Sequence, residues 1–195
     1  MAGPPISREQ AWELIKKYNS DKTDLNHYLE SEAVMRELAK KLGEDEKYWG
    51  MLGLIHDIDW GIIKDDVQAH LTKAPEILKE AGFDDEFIEI VLSHGYGFEE
   101  LPPLKNRKRT EKIQHALAAS ETITGLIHAY ALMRDGRVSD MEAKGLKKKF
   151  KDKTFAAKID RDIIKECEQL GLTLEEFFEV AINGIKKIGE EVGLK

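Results

Sequence analysis

The spacing of the apolar residues is the feature that most constrains how this chain folds. Apolar side chains recur every three or four residues, and almost no segment alternates apolar with polar residues as a half-buried strand would. Residues that cap helices precede several of these apolar stretches. The pattern predicts an all-α protein, with helix starts at Ser7/Gln10, Asp45, Asp84, Ser139/Glu142, Asp160 and Thr173/Glu176.

The fourth predicted helix carries one of the six histidines near its start. Gly82 ends this helix, and Pro75 is tolerated only in a first helical turn, so the helix is expected to begin between about Gln68 and Thr72. His70 would then lie at a helix N-terminus. The positive end of the helix dipole should keep its imidazole neutral, as a metal ligand must be.

The segment from Gly95 to Arg109 is the longest irregular stretch, and it precedes a long helix predicted from Thr110 to Met133. A loop of this length inside a compact domain is often functional. We expect it to form a lid over a site.

The composition predicts one compact cytoplasmic domain over residues 1–195. The chain has 42% hydrophobic residues, one cysteine and no apolar run near the roughly 18 residues of a membrane span. Its first residues lack the pattern of a signal peptide. A net charge of −7 argues against nucleic acid as the main partner, and the lysine-rich segment 144–153 is typical of a solvated helix face.

Six residues with metal-ligating side chains occur in or beside apolar helical stretches: His27, His56, Asp57, His70, His94 and Glu121. A buried carboxylate without a partner costs several kcal/mol, and a divalent cation would satisfy both members of the adjacent His-Asp pair. Such ligands suit Fe, Mn, Ni or Zn better than Mg, which is nevertheless compatible. Alternatively, a single histidine is more often a core residue, and a His-Asp pair can face solvent at a helix end.

Helical geometry separates the remaining two histidines. His115 lies six residues before Glu121, about 120° around the helix, so the two should not share a metal. His128 lies seven residues after Glu121, on the same face and about 10 Å further along. It is a candidate for the substrate pocket, with a core histidine as the alternative.

These residues resemble the HD superfamily of metal-dependent phosphohydrolases, which is named after a pair like His56-Asp57. The resemblance covers about residues 24–133 and includes the context of that pair, Gly-Leu-Ile-His-Asp-Ile. It implies a helical bundle with an HD core of about residues 20–135 and a C-terminal helical extension of about 136–195.

The same resemblance implies the ligand set. One metal would be held by His27, His56, Asp57 and Glu121, and a second by His70 and His94 with Asp57 as the bridge. Glu121 departs from the family, where the last ligand is usually Asp. Asp59 and Trp60 also depart from the patterns of two family branches.

The implied function is hydrolysis of a phosphoester of a nucleotide or small phosphorylated metabolite by a metal-activated water. Asp57 and His56 would carry the catalysis, and Asp59 would orient groups at the metal. Phosphate contacts are expected from Lys73, Arg134, Lys149 and Arg161. The alternatives are a di-iron oxygenase of the same fold and a non-catalytic ligand-binding module. The oligomeric state stays open, with a dimer as one option.

Overall fold

A computed structural model describes residues 3–195, and this part of the chain contains ten α-helices, two 3₁₀ turns and no strand. The prediction of an all-α protein is confirmed. The helices are α1 (Arg8–Tyr18), α2 (Lys22–Leu42), α3 (Glu46–Ile55), α4 (Trp60–Ile63), α5 (Ala74–Glu80), α6 (Asp85–Ser93), α7 (Lys112–Leu132), α8 (Ala143–Lys151), α9 (Arg161–Lys165) and α10 (Leu174–Ile188).

Most predicted helix ends are found where capping chemistry places them. Ser7 and Gln10 form a capping box at α1, and Thr173 and Glu176 form another at α10. The side chains of Asp45, Asp84 and Asp160 accept hydrogen bonds from backbone N–H groups in the first turns of α3, α6 and α9.

Two predicted helix starts are wrong, because tertiary contacts decide them. The fourth predicted helix begins at Ala74, where the buried Asp59 carboxylate accepts the N–H groups of Lys73 and Ala74. His70 instead follows a 3₁₀ turn at Val67–Ala69.

The predicted capping box of Ser139 and Glu142 does not form either, since the backbone N–H of Ser139 donates to the carbonyl of Lys195. Helix α8 begins at Ala143 with Glu142 as its N-cap. The short helix α4 was not predicted from the sequence.

Helix α2 lies at the centre of the fold and packs against α3, α7 and α10. Two glycines allow these neighbours to approach its backbone closely. A Cβ atom on Gly53 of α3 would lie 2.5 Å from the carbonyl oxygen of Ser31, and one on Gly184 of α10 would lie 2.7 Å from that of Ala33. The close approach of α3 brings the His56-Asp57 pair to His27 of α2.

The buried hydrophobic residues form one cluster that extends from Ala11 in α1 to Leu194 near the C-terminus. Phe177, Phe178 and Ile185 of α10 are fully buried in it. The division into a core and an extension stays a prediction, and residues 1 and 2 lie outside the described part. No helix in residues 3–195 is both long and apolar enough to cross a membrane.

We predict that Gly53→Ala destabilises the protein by about 1–3 kcal/mol, because the added methyl group meets the α2 backbone and forces two helices apart. The matched control is Gly125→Ala in α7, whose Cβ would meet only the end of the Ile159 side chain. Urea unfolding measures both. Equal stability of Gly53→Ala and the wild type would contradict the packing described here.

Candidate metal centre

The predicted His-Asp pair lies where α3 ends, with its side chains turned into the protein. His56 is completely buried, and its Nδ1 donates to the carbonyl oxygen of Gly53 at 2.8 Å. The neighbouring Asp57 side chain is 16% exposed and is reached by imidazoles from three other parts of the chain.

One group of ligands consists of His27, His56 and Asp57. The Nε2 atoms of His27 and His56 are 3.1 Å apart, and they lie 3.8 and 3.5 Å from Oδ2 of Asp57. These three atoms can therefore contact one ion together.

A second group consists of His70, His94 and the same aspartate. The Nε2 atoms of His70 and His94 are 3.3 Å apart and lie 3.3 and 3.1 Å from Oδ1 of Asp57. Asp57 thus offers one carboxylate oxygen to each histidine pair, which is the arrangement of a bridging carboxylate.

Glu121 lies at the edge of the first group. Its Oε2 is 4.0 Å from Nε2 of His27, and burial raises the pKa of this carboxyl group. The carboxylate is more distant than the other ligands, as expected if a glutamate on α7 reaches the site from slightly further away.

All four imidazoles have an acceptor beside Nδ1. His56 and His94 donate from Nδ1 to the carbonyl oxygens of Gly53 and Val91, at 2.8 and 2.7 Å. Nδ1 of His70 lies 3.3 Å from Oδ1 of Asp59.

His27 is fixed in the same tautomer by Thr124. The hydroxyl of Thr124 donates its one proton to the carbonyl of Glu121 at 2.6 Å, so it must accept from Nδ1 of His27 at 3.0 Å. The four Nε2 atoms therefore present lone pairs to the Asp57 carboxylate, unless a ring takes up a second proton.

Imidazole lone pairs that face a carboxylate repel its negative charge, so this cluster needs a positive charge to be stable. Complete burial lowers the pKa of His56 to about 3, so this ring is neutral. Burial also disfavours the His70 imidazolium, but the nearby carboxylates of Asp57 and Asp59 outweigh burial and raise its pKa to about 10. The prediction that His70 lies at a helix N-terminus is wrong: His70 precedes α5 by four residues and lies between two carboxylates.

The pKa of Asp57 shows the same balance. Burial opposes its charged form, but the positively charged imidazolium of His70 outweighs burial and holds the pKa well below its usual range. Asp57 is therefore an anion surrounded by imidazoles, at a place where a cation is required.

Comparison with protein families gives a match over the part of the chain that carries the centre. The HD domain model matches residues 24–130, more than half of the chain, and includes all six predicted ligands. This chain belongs to the HD domain family. Comparison with curated proteins and with solved structures gives no significant match.

HD domains bind divalent metals and are generally metal-dependent hydrolases, and the donor set of this HD domain fits such ions. Imidazole nitrogens and carboxylate oxygens are ligands of first-row divalent metals, and each ring is oriented by a partner at its other nitrogen. His27, His56 and Asp57 could hold one ion, and Asp57, His70 and His94 a second.

Two cavities reach this centre from different sides. One, of about 440 Å³, lies between α2 and α7 and is lined by His27 and Asp57 together with Glu30 and His128. The other, of about 620 Å³, is lined by Asp57, His70, His94 and Glu121 and by residues of the Gly95 to Arg109 loop.

That loop is tied to the end of α6. The Arg109 guanidinium donates to the carbonyl oxygens of Ser93, His94 and Tyr96, and Leu101 is buried. The loop thus forms a wall of the second cavity, and its opening and closing as a lid stays a prediction.

Of the predicted substrate-binding residues, only His128 lines one of these cavities. Arg134 pairs with Asp140, Lys149 lies over the rings of Tyr130 and Phe155, and the Arg161 guanidinium donates to carbonyl oxygens of its own loop. These three side chains are engaged elsewhere.

Lys73 also lies outside both cavities, with only its backbone N–H directed at Asp59. Asp59 itself is completely buried behind His70, so it can orient that imidazole but cannot touch a substrate. His115 is paired with Glu166 and belongs to neither ligand group, as the helical geometry predicts.

Sequence reasoning did not single out Lys158 and Glu30. Lys158 lines the second cavity, and Glu30 lines the first. Glu30 could have been found from its spacing, since it lies three residues after His27 and so on the same face of α2. No local pattern separates Lys158 from the other lysines of its segment.

We predict that His70→Ala lowers the metal content from about two ions per chain to about one, because His70 serves only the second ligand group. His115→Ala is the matched control on a histidine outside both groups. Elemental analysis of the purified proteins measures the content. Unchanged metal content in His70→Ala would remove this residue from the centre.

We predict that Asp59→Asn weakens metal binding about 10- to 100-fold while the protein stays folded. The amide oxygen can still accept the N–H groups that begin α5, but the negative charge that orients His70 is lost. Calorimetric titration with Mn²⁺ or Zn²⁺ measures the affinity, and circular dichroism checks the fold. Wild-type affinity in a folded variant would leave Asp59 with a capping role alone.

Proposed function

We propose that this HD protein is a metal-dependent phosphohydrolase that cleaves a phosphoester of a nucleotide or a small phosphorylated metabolite. The observation that carries the proposal is the Asp57 carboxylate, which faces two histidine pairs through separate oxygens. This arrangement suits about two divalent cations per chain, drawn from Fe, Mn, Ni and Zn, with Mg also compatible.

Bound cations would lower the pKa of a water molecule, orient the phosphate and stabilise the charge that develops on its oxygens. The protein side chains supply the rest. The contacts at Nδ1 of each imidazole hold its Nε2 atom in place. No protein nucleophile is needed, because water attacks the phosphorus. Lys158, at the wall of the second cavity, provides the positive side chain that a phosphate dianion would meet.

An oxidase or oxygenase with two irons is the second candidate, and the excess of imidazoles over carboxylates in the two ligand groups favours it. Iron content and oxygen uptake distinguish the two. Two irons per chain, oxygen consumption with a candidate substrate and no phosphatase activity would select this function over the first.

We predict that the metal-loaded protein hydrolyses phosphomonoesters, and that Asp57→Asn lowers kcat at least about 100-fold, since losing a ligand should cost at least as much as losing the group that orients it. Phosphate release from 4-nitrophenyl phosphate and a panel of nucleotides measures the activity. His115→Gln should retain wild-type rates. Absence of phosphate release with every metal and ester would contradict the proposal.

A further inference from the structure

The cavity between α2 and α7 contains a second histidine-acid pair that metal binding does not explain. Nδ1 of His128 lies 2.6 Å from Oε1 of Glu30. Glu30 is 3% exposed, whereas the His128 side chain is 27% exposed and lines the cavity that also reaches His27 and Asp57.

This pair lies one helical turn from the metal centre. His27 contacts Thr124 across the same two helices, and Glu30 and His128 follow these residues by three and four positions. One turn of α-helix rises about 5.4 Å. An ester whose phosphorus lies at the metal centre can therefore direct its leaving oxygen toward His128.

Glu30 and Glu166 each pair with a histidine of α7, but they differ in the number of their positively charged partners. Glu166 is held by His115 and also by the guanidinium of Arg109. Among the described residues, Glu30 has an ion-pair partner only in His128. Its buried negative charge is therefore balanced when His128 is an imidazolium.

The environment favours that form. The hydrogen bond from Nδ1 to Glu30 raises the pKa of His128, and partial burial opposes it less strongly. The other titratable groups that line the cavity are Asp24, His27, Tyr28 and Asp57. With Nδ1 committed to Glu30, the remaining proton of the imidazolium is on Nε2.

We propose that this cavity receives the leaving group of the phosphoester and that His128, positioned by Glu30, donates its Nε2 proton to the leaving oxygen. The inference rests on the proposed phosphohydrolase function. Among residues 3–195, no lysine or arginine lines this cavity, whereas Asp24 and the apolar surfaces of Tyr28 and Trp60 do. It suits an uncharged alcohol better than a leaving group that carries further phosphates.

The reaction balances with water as the only co-reactant. The oxygen of water forms a bond to phosphorus, and the bond from phosphorus to the alcohol oxygen breaks. That oxygen takes the Nε2 proton and leaves as the neutral alcohol. The attacking water loses a proton to solvent, and His128 takes one up again before the next turnover.

The experiment compares three esters whose alcohols differ in acidity: 4-nitrophenyl phosphate, phenyl phosphate and benzyl phosphate. A good leaving group needs no proton, whereas a poor one does. We expect His128→Gln to lower kcat for benzyl phosphate about 10²- to 10⁴-fold, with little change for 4-nitrophenyl phosphate and an intermediate loss for phenyl phosphate. KM should change little.

His115→Gln is the matched control, because it alters another histidine of α7 that is paired with a glutamate. It should leave all three rates unchanged. Metal content must equal the wild-type value in each variant, which separates loss of the acid from loss of the centre.

Glu30→Gln gives a test that does not depend on turnover. In wild-type protein, NMR titration should place the pKa of His128 above the ordinary histidine value, and Glu30→Gln should lower it. The pH above which benzyl phosphate hydrolysis declines should fall by the same amount, since the rate requires protonated His128. If His128→Gln does not fold, Glu30→Gln still tests the role of His128 through this change in its pKa and in the pH dependence of the rate.

The outcomes separate the two levels of the proposal. Two results would overturn the role of His128. One is an active wild type together with an equal loss of kcat on all three esters in His128→Gln. The other is a wild type that hydrolyses 4-nitrophenyl phosphate alone. A pKa of His128 that is unchanged in Glu30→Gln would overturn the role of Glu30. A wild type inactive on every phosphoester would overturn the phosphohydrolase function itself.

Discussion

Four imidazole Nε2 atoms lie close to the carboxylate of Asp57, and the rest of the site depends on this interaction. Each ring has an acceptor beside Nδ1, and the Nε2 atoms lie 3.1 to 3.8 Å from one another or from the carboxylate oxygens. Such a cluster is stable only with added positive charge, supplied by a proton on His70 or by metal ions. This cluster is therefore a site that favours the binding of cations.

The packing of the central helix α2 against α3 and α7 brings the residues of the site together. Its contact with α3, which Gly53 allows, brings His27 against His56, and its contact with α7 brings Thr124 and His128 to the same cavity. Residues that touch no substrate thus decide the site geometry. The capping of α5 by Asp59 is another example, since one buried carboxylate begins a helix and orients His70.

Local sequence signals predicted the helical class, most helix ends and the residues that converge on the centre. His56 and His94 could be placed because they end α3 and α6, whose N-caps Asp45 and Asp84 are recognisable in the sequence. The start of α5 was missed because Asp59, fifteen residues away, determines it. For the predicted phosphate-binding cations, no local pattern shows that Arg134 pairs with Asp140 or that Arg161 donates to backbone carbonyl oxygens.

The most direct test of the account is the tautomer of each histidine in zinc-loaded protein, measured by long-range ¹H–¹⁵N NMR correlation. We predict that His27, His56, His70 and His94 all carry their proton on Nδ1 and that zinc shifts the ¹⁵N resonance of each Nε2, while the resonances of His115 are unaffected by zinc. Nε2-protonated rings at these four positions in the zinc-loaded protein would contradict it.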